Sequence, residues 1–599
     1  MPCLHAHPVL RCSGFLALAA RRSPMRSSKH VVLLAVLPLF ASAFTGQTSP
    51  LAAQEPQPLP AATATTGLTT APEVPAPTQQ PEVIAVPPQA TPAQAAEDAS
   101  PTAQAAERFV EAPDEEYEEM PALAKREGWH AWAWDRVAAS TQSAVAVSRS
   151  FDGSSVVDPS RQSWNRARFG MGFNHSEHRG FIRAVDAAIE GDLDRGTLDV
   201  DASSASRITL RKGYVEAKTL AGQFTIGRQA SGWGLGLVAQ SGVEDPLQFG
   251  LRRGGTIVDR LQYGILPAAL WSKGDPAHAF PLAIAVAYDR VVADDLVRGV
   301  QATDGVFGGP DDARNKIIAL LYQGQSLHAG LYAAWRHQTD VANQTMSVQI
   351  TDAFLAYTAS ARDWRFGVSA EGVIAHGATT WLRTMDHQDS LDIEQYGGVA
   401  RIDLSRRNVH VRLEGGVASG DGQPLDGTLR NFSFASDYRV GLVLFPVVMA
   451  GASRVTQQNF SDPRFASQPP VGIDRLPTHG AVSQAMYLHP VVKIHVSEHF
   501  SLMGGAVFAR APADYADAYQ TFLRGGAPTG PRGAAASRDL GSEFDGAVEV
   551  VEPLPWHFQA VLRGDAGFAL LGHAFDDPQG HAAPAVGVVQ GSFQVRGQW

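Results

Sequence analysis

From about residue 126 onward, apolar and polar residues alternate along the chain. Trp364, Phe366, Val368 and Ala370 alternate with Arg365, Gly367, Ser369 and Glu371. Val409, Val411 and Leu413 alternate with His410, Arg412 and Glu414, and Trp556, Phe558, Ala560 and Leu562 with His557, Gln559, Val561 and Arg563. Phe544, Val548 and Val550 share a parity opposite Glu543, Asp545 and Glu549. Successive side chains of a strand point to opposite faces, so each run predicts a strand with one apolar and one polar face. Gly, Asp and Pro separate the runs. About 16 to 19 such segments follow one another, which suits a single large antiparallel barrel better than a set of small domains. An even number is expected, 16 or 18. No blade-like repeat of about 40 to 50 residues appears, which argues against a propeller. Trp129 to Ala139 is the one stretch whose period is ambiguous between helix and strand.

The last ten residues carry the same alternation. Gln590, Ser592, Gln594, Arg596 and Gln598 fall on one parity; Gly591, Phe593, Val595, Gly597 and Trp599 fall on the other. A closing strand that ends on an aromatic residue resembles the C-terminal assembly signal of bacterial outer-membrane β-barrels, carried here by Phe593, Val595 and Trp599. It departs from that pattern in having Trp for the commoner Phe, and Gly597 where a larger apolar residue is usual. Trp364, Trp556 and Trp599 sit at strand ends, like the aromatic girdles of such barrels. No segment after the N-terminal region has 18 consecutive apolar residues; the nearest, Gly441 to Ala452, is interrupted by Pro446. Helices and closed barrels are the structures that satisfy every backbone group in lipid. The expectation is therefore all-β: a single transmembrane antiparallel β-barrel of 16–18 strands over residues 126–599, preceded by a disordered arm. Hydrophobic content is an ordinary 44%, as expected when one face of each strand meets lipid.

The N-terminal region reads differently. Val31 to Phe40 is a short apolar run, preceded by Arg26, Lys29 and His30 and followed by Ala41-Ser42-Ala43. This is the pattern of a secretory signal peptide, residues 1–43. A start at Met25 would give it ordinary length, so residues 1–24 are expected to be an over-extended start or a long n-region. Both cysteines, Cys3 and Cys12, lie there, and cleavage would leave none for disulfides. Residues 44–125 are rich in Pro, Ala, Thr and Gln and show no apolar periodicity, so they are expected to be a disordered periplasmic arm. The arm ends in an acidic run, Glu111 to Glu119, read as a solvated spacer.

The sharpest local motif is Gly227-Arg228-Gln229-Ala230-Ser231-Gly232-Trp233-Gly234-Leu235-Gly236-Leu237, after the strand-like Gln223 to Ile226. Its glycines permit tight turning and close backbone approach. It lacks the Gly-Lys-Ser/Thr of a phosphate loop. Thr256 to Arg260, Phe434 to Leu442, Tyr487 to Lys493 and Leu540 to Asp545 follow. Together these segments resemble a family of uncharacterised outer-membrane barrels of myxobacterial type. The resemblance runs over most of residues 145–599. That family has a Gly-Arg-x-x-Ser-x-Trp-Gly-Leu-Gly turn, an Asp-Arg strand start, an Asp-Tyr-x-Val strand and a late Gly-x-Glu-Asp-type strand. The Gly-Arg-Gln turn is more weakly similar to alginate-export and phosphate-selective porins. The resemblance implies an outer-membrane barrel and supplies no substrate.

The presumed inner parity carries charges of both signs: Arg365, Glu371, Arg401, Asp403, Arg412, Glu414, Lys493, Glu543, Asp545 and Arg563 are the candidate pore-lining residues, with His410, His495, Glu549 and Arg596 beside them. Such charges can set the transverse field of a constriction, or pair with one another and fill the lumen. Arginine greatly outnumbers lysine, which suits bidentate recognition of carboxylate and also suits a GC-rich genome. The formal net charge of −11 argues against nucleic-acid binding. No Gly-x-Ser-x-Gly or other catalytic signature occurs, so an enzyme is not expected. His175 and His178 read as loop histidines rather than metal ligands, and no cofactor is implied. The expected function is passage of small hydrophilic solutes through the lumen. The alternative is a closed structural or adhesion barrel whose loops bind an external partner. Expected partners are membrane lipid, the barrel-assembly machinery and small hydrophilic solutes. N-terminal sequencing of the exported protein is expected to start at or near Phe44; a start before Ser28 would refute the cleavage site.

Overall fold

A computed structural model describes residues 127–146, 160–176, 181–196, 207–251, 254–268, 280–297, 311–341, 343–382, 390–460 and 477–599. The signal peptide and arm read at residues 1–125 lie outside the described residues. The barrel belongs to one compact unit, residues 94–599; the other unit, residues 1–93, also lies outside them.

The alternating segments form strands throughout, and 18 of them build the wall. In chain order they are β1 (Gly128–Gln142), β2 (Ser160–Ser176), β3 (Ile182–Gly196), β4 (Arg207–Thr219), β5 (Gly222–Ser231), β6 (Thr256–Ile265), β7 (Leu282–Ala293), β8 (Asp312–Gln323) and β9 (Leu327–Thr339). The circuit continues with β10 (Thr345–Ala361), β11 (Trp364–Thr379), β12 (Leu391–Arg406), β13 (Val409–Ala418), β14 (Met486–His495), β15 (Phe500–Tyr515), β16 (Ser537–Leu554), β17 (Phe558–Leu571) and β18 (Val586–Gln598). Each pairs antiparallel with its sequence neighbours. β1 pairs with β18 from Trp132↔Gln598 to Gln142↔Val588, which closes the sheet on itself. A two-residue bridge, Thr428–Leu429, adds to β12 in parallel from the β13–β14 connection. The ambiguous stretch Trp129 to Ala139 lies within β1.

The two ends of the barrel differ. At one end, residues 220–221, 362–363 and 407–408 suffice to reverse the chain. Arg362 (φ 55°) and Arg407 (φ 51°) take the left-handed conformation that such tight hairpin turns require. β1 begins and β18 finishes at this end. At the other end the connections are long, notably residues 232–255 and 419–485. Short turns on one side and long loops on the other are the pattern of bacterial outer-membrane barrels, with the short turns periplasmic.

The faces are inverted relative to a water-soluble protein. Phe169, Ile189, Val215, Ile226, Leu261, Ile318, Leu331, Ile374, Ile402, Leu413, Phe508, Phe544 and Phe593 all point outward and are exposed. The opposite parity holds buried Arg136, Glu190, Asp192, Arg260, Asp289, Arg401, Glu414 and Glu543. Trp129, Trp364, Trp556 and Trp599 collect at the short-turn end, where amphipathic rings suit a membrane interface. A continuous apolar band on a closed sheet is a lipid-facing surface. No helix among the described residues is long and apolar enough to cross a membrane.

One expectation needs correction. Phe434 to Leu442, read as an Asp-Tyr-x-Val strand, is not part of the wall but an irregular segment inside it. Leu444–Met449 forms a π-helical turn that continues as the helix Ala450–Phe460. The helical turn escapes a periodicity reading because it is buried: Leu444, Phe445, Pro446, Val448 and Met449 are all enclosed, so no polar face marks its period. The glycine at 597 also finds its reason. The Phe558 ring lies over it, and a Cβ there would come within 2.6 Å of that ring.

The register makes a direct prediction. Val368 faces outward and Glu371 inward on β11. Val368→Arg is expected to cost about 2–4 kcal/mol in reversible unfolding from vesicles, the range for a basic side chain near the bilayer midplane. Gly367→Arg, on the inner face opposite Asp403, is expected to cost less; equal costs would mean that the register is wrong.

Candidate functional site: the charged lumen and its two inward loops

The described parts of the β5–β6 connection, residues 232–251 and 254–255, fold into the barrel. Their path is set by carboxylates on the wall. Glu371 of β11 accepts hydrogen bonds from the backbone N–H groups of Leu235 and Leu237, the latter at 3.2 Å. The Trp233 indole donates to Asp352 of β10 at 3.0 Å. Gly234 and Gly236 have φ of 56° and 94°; a Cβ on Gly234 would lie 2.6 Å from the Glu371 carboxylate. The glycine-rich motif is thus a turn shaped around one buried acid.

The described parts of the β13–β14 connection, residues 419–460 and 477–485, enter from the facing side. Glu543 of β16 accepts from Leu442, Val443 and Leu444, the last two at 2.6 Å, and holds the start of the helical turn. Asp437 accepts from Gly254 at 3.1 Å and from Gly255, joining the two loops to each other. Their apolar side chains make one core, with Leu237, Phe249, Phe432, Phe434, Val440 and Phe445 packed against wall residues such as Val373, Val507 and Ala569. The core therefore lies inside the barrel, on the β11–β18 side.

Around this plug the inner wall is ionic. Arg412 donates to Asp403 at 2.7 Å and also binds Asp245 of the inward loop. Arg401 donates to Glu414 at 2.6 Å and to the Tyr438 hydroxyl at 2.8 Å; Tyr487 donates to Glu414 at 2.6 Å. Lys493 meets Glu549 at 3.0 Å, and Arg563 pairs with Asp565 at 2.8 Å. On the opposite flank Arg136 binds Glu244 of the same loop and Gln594 of β18. Arg166 meets Asp194 at 2.5 Å, Arg168 meets Asp192 at 2.6 Å and Arg211 meets Glu190 at 3.4 Å.

Of the ten pore-lining candidates, the structure puts Glu371, Arg401, Arg412, Glu414, Lys493, Glu543 and Asp545 in buried inner positions, with Arg563 and Asp403 partly buried among them. Arg365 stands apart, exposed at the short-turn end. Glu371 and Glu543 each accept backbone hydrogen bonds from an inward loop. Sequence reasoning missed Glu244, Asp245, Asp437 and Tyr438, which lie in irregular loop and gave no period. It also missed the Arg166, Arg168 and Arg211 set with Glu190, Asp192 and Asp194. A signal was present there, since like charges recur every second residue in two adjacent strands. Phe593 and Trp599 face outward and are exposed, Val595 shares their parity, and the Trp599 ring packs 5.2 Å from Phe558. Among the described residues no group of three or more His, Cys, Asp or Glu could hold a metal.

The protein is a closed transmembrane β-barrel of 18 strands. No family model matches the chain, and no curated protein matches it. Among solved structures it is similar to Pseudomonas aeruginosa OccK2 (OpdF) in complex with glucuronate. That match has a TM-score of 0.44 at 9% identity, covering 78% of this chain and 99% of that one. It is also similar to Acinetobacter baumannii OccAB4, with a TM-score of 0.46 at 8% identity, covering 79% and 99%.

Two outcomes test this architecture. Glu543→Ala removes the acceptor of three buried N–H groups, each costing about 1–3 kcal/mol when left unmet. The variant is expected to assemble as a heat-modifiable barrel but to be cut by protease within residues 441–460, where wild type resists. Outside the membrane-spanning strands, Asp517 caps the short helix Ala518–Leu523 and accepts from Gln520 at 2.8 Å and from Thr456. Burial pushes its carboxyl up to about 6. A raised carboxyl favours the folded state more as it protonates. Protection of the 518–523 amides, corrected for intrinsic exchange, is therefore expected to rise as pH falls from 7.5 to 5.

Proposed function

We propose that the barrel is a porin-like channel for passage of small hydrophilic solutes. The observation that carries this reading is the convergence of wall arginines on the two adjacent loop acids, Glu244 and Asp245. Ion pairs lining a narrowed lumen give a local field that orients polar solutes and turns away apolar ones. Arg401, Arg412, Asp403, Glu414, Lys493 and Arg563 are proposed to line the path, with Glu371, Glu543 and Asp545 setting the position of the loops that narrow it. Arg365 is proposed to act at the periplasmic mouth.

The turn built around Glu371, together with Thr256–Arg260, Phe434–Leu442, Tyr487–Lys493 and Leu540–Asp545, carries the resemblance to the barrels of myxobacterial type, and its Gly-Arg-Gln start resembles, more loosely, alginate-export and phosphate-selective porins. Membership of the former group is proposed on that ground. Residues 1–43 are proposed to be removed on export and residues 44–125 to lie in the periplasm. The outward residues Phe593, Val595 and Trp599 on the closing strand are proposed to be read by the barrel-assembly machinery. Lipid is the proposed partner of the outer face.

Single-channel recording in planar bilayers tests the central claim. Wild type is expected to give discrete conductance steps in KCl. The double variant Glu244→Gln/Asp245→Asn exposes the arginines, so its reversal potential in a KCl gradient is expected to shift toward chloride. A folded protein without conductance would refute the channel and favour the closed barrel, whose support is the apolar core inside the wall.

A further inference from the structure

The outward face is apolar around most of its girth, but at the long-loop end of β7, β8 and β9 it changes character in ordered tiers. Arg290, Arg314 and His337 are register partners in a row across the three strands. One tier toward the membrane, Tyr288, Lys316 and Trp335 form the next row. Below it come Val286 and Ile318, then Leu320 and Leu331. Arg290, Arg314, Lys316, His337, Tyr288, Trp335, Val286, Ile318, Leu320 and Leu331 are all exposed. Two arginines thus sit above a row holding Lys316 and two aromatic rings, which sits above aliphatic side chains, on one continuous outer surface.

The acids nearby are few and mostly engaged. Asp312 meets Arg314 at 2.8 Å, with both side chains more than half exposed. Asp259, beside Arg290 in register, binds Arg228 at 2.7 Å. Among the described residues no carboxylate pairs with Arg290 or Lys316. Unpaired cations at a membrane interface attract anionic headgroups, and arginine matches phosphate oxygens bidentately.

We infer that the tiered surface of β7–β9 binds a phosphorylated lipid headgroup of the outer leaflet. Arg290, Arg314 and Lys316 would take the phosphate. Tyr288 and Trp335 would sit at the headgroup level, and the acyl chains would lie along Val286, Ile318, Leu320 and Leu331. A lipid is favoured over free phosphate because the cations stand directly above lipid-facing aliphatic residues, outside the lumen. The surface owes nothing to the channel reading, so either can fail without the other.

The test uses the full barrel refolded in detergent and measures lipid retained in native mass spectra. Wild type is expected to retain bisphosphorylated lipid A at least about tenfold better than the dephosphorylated lipid. The triple variant Arg290→Ser/Arg314→Ser/Lys316→Ser should lose that preference while remaining heat-modifiable. The control variant Arg161→Ser/Arg195→Ser removes two exposed arginines on β2 and β3 and should retain it. Equal loss in both variants would overturn the site, because binding would then be diffuse charge attraction. Full competition by millimolar inorganic pyrophosphate would overturn the lipid assignment, since a headgroup anchored by its acyl chains resists a free anion. Equal retention of the two lipids by wild type would also overturn it.

Discussion

A peptide group in hydrocarbon has no water to bond with, and the rest of this structure follows from that constraint. Every N–H and C=O of the wall must find a neighbour strand. The pairing of β1 with β18 removes the last free edge, and the reciprocal bonds between Ala131 and Trp599, at 2.8 and 2.9 Å, carry that pairing to the final residue. Closure fixes an inside and an outside, and the two-residue period of each strand then assigns every side chain to one of them. The outside is written for lipid. The inside inherits the polar residues, and in a confined space these must pair or stay wet.

That second demand explains the loops. An inner wall carrying Glu371, Glu543, Arg401 and Arg412 is a poor surface for a buried apolar segment unless its charges are satisfied. Both inward loops bring backbone N–H groups or carboxylates to those positions, and only then bury Phe249, Phe434 and Phe445 among the aliphatic wall residues. The glycines of residues 232–236 are the local condition for this, since the turn passes too close to Glu371 to carry a side chain at Gly234.

The wall was legible because strand alternation is a local property. The parity of Arg401, Glu414, Lys493 and Glu543 could be read without knowing the barrel, and so could the apolar parity of Phe366 and Phe593. The strand number was bracketed, and the structure has the upper even value. The interior was not legible in the same way. Asp245 finds Arg412 and Asp437 finds Gly255 across long sequence separations, through segments with no period, so nothing local marks the partnership. The helical turn at Leu444–Met449 was hidden for the opposite reason: with apolar residues on all sides it presents no stripe. Phe434 to Leu442 has strand-like composition but is enclosed by other loop residues, and packing overrode propensity.

Glu244 and Asp245 are adjacent in sequence yet grip two separate parts of the wall, Arg136 on β1 and Arg412 on β13. A sheet closed into a cylinder is soft toward ovalisation, because its hydrogen bonds run around the circumference and resist hoop tension better than flattening. A loop bonded to two well-separated points of the circumference works as an internal strut. It ties the cross-section of the barrel to two ion pairs formed by neighbouring carboxylates of one loop.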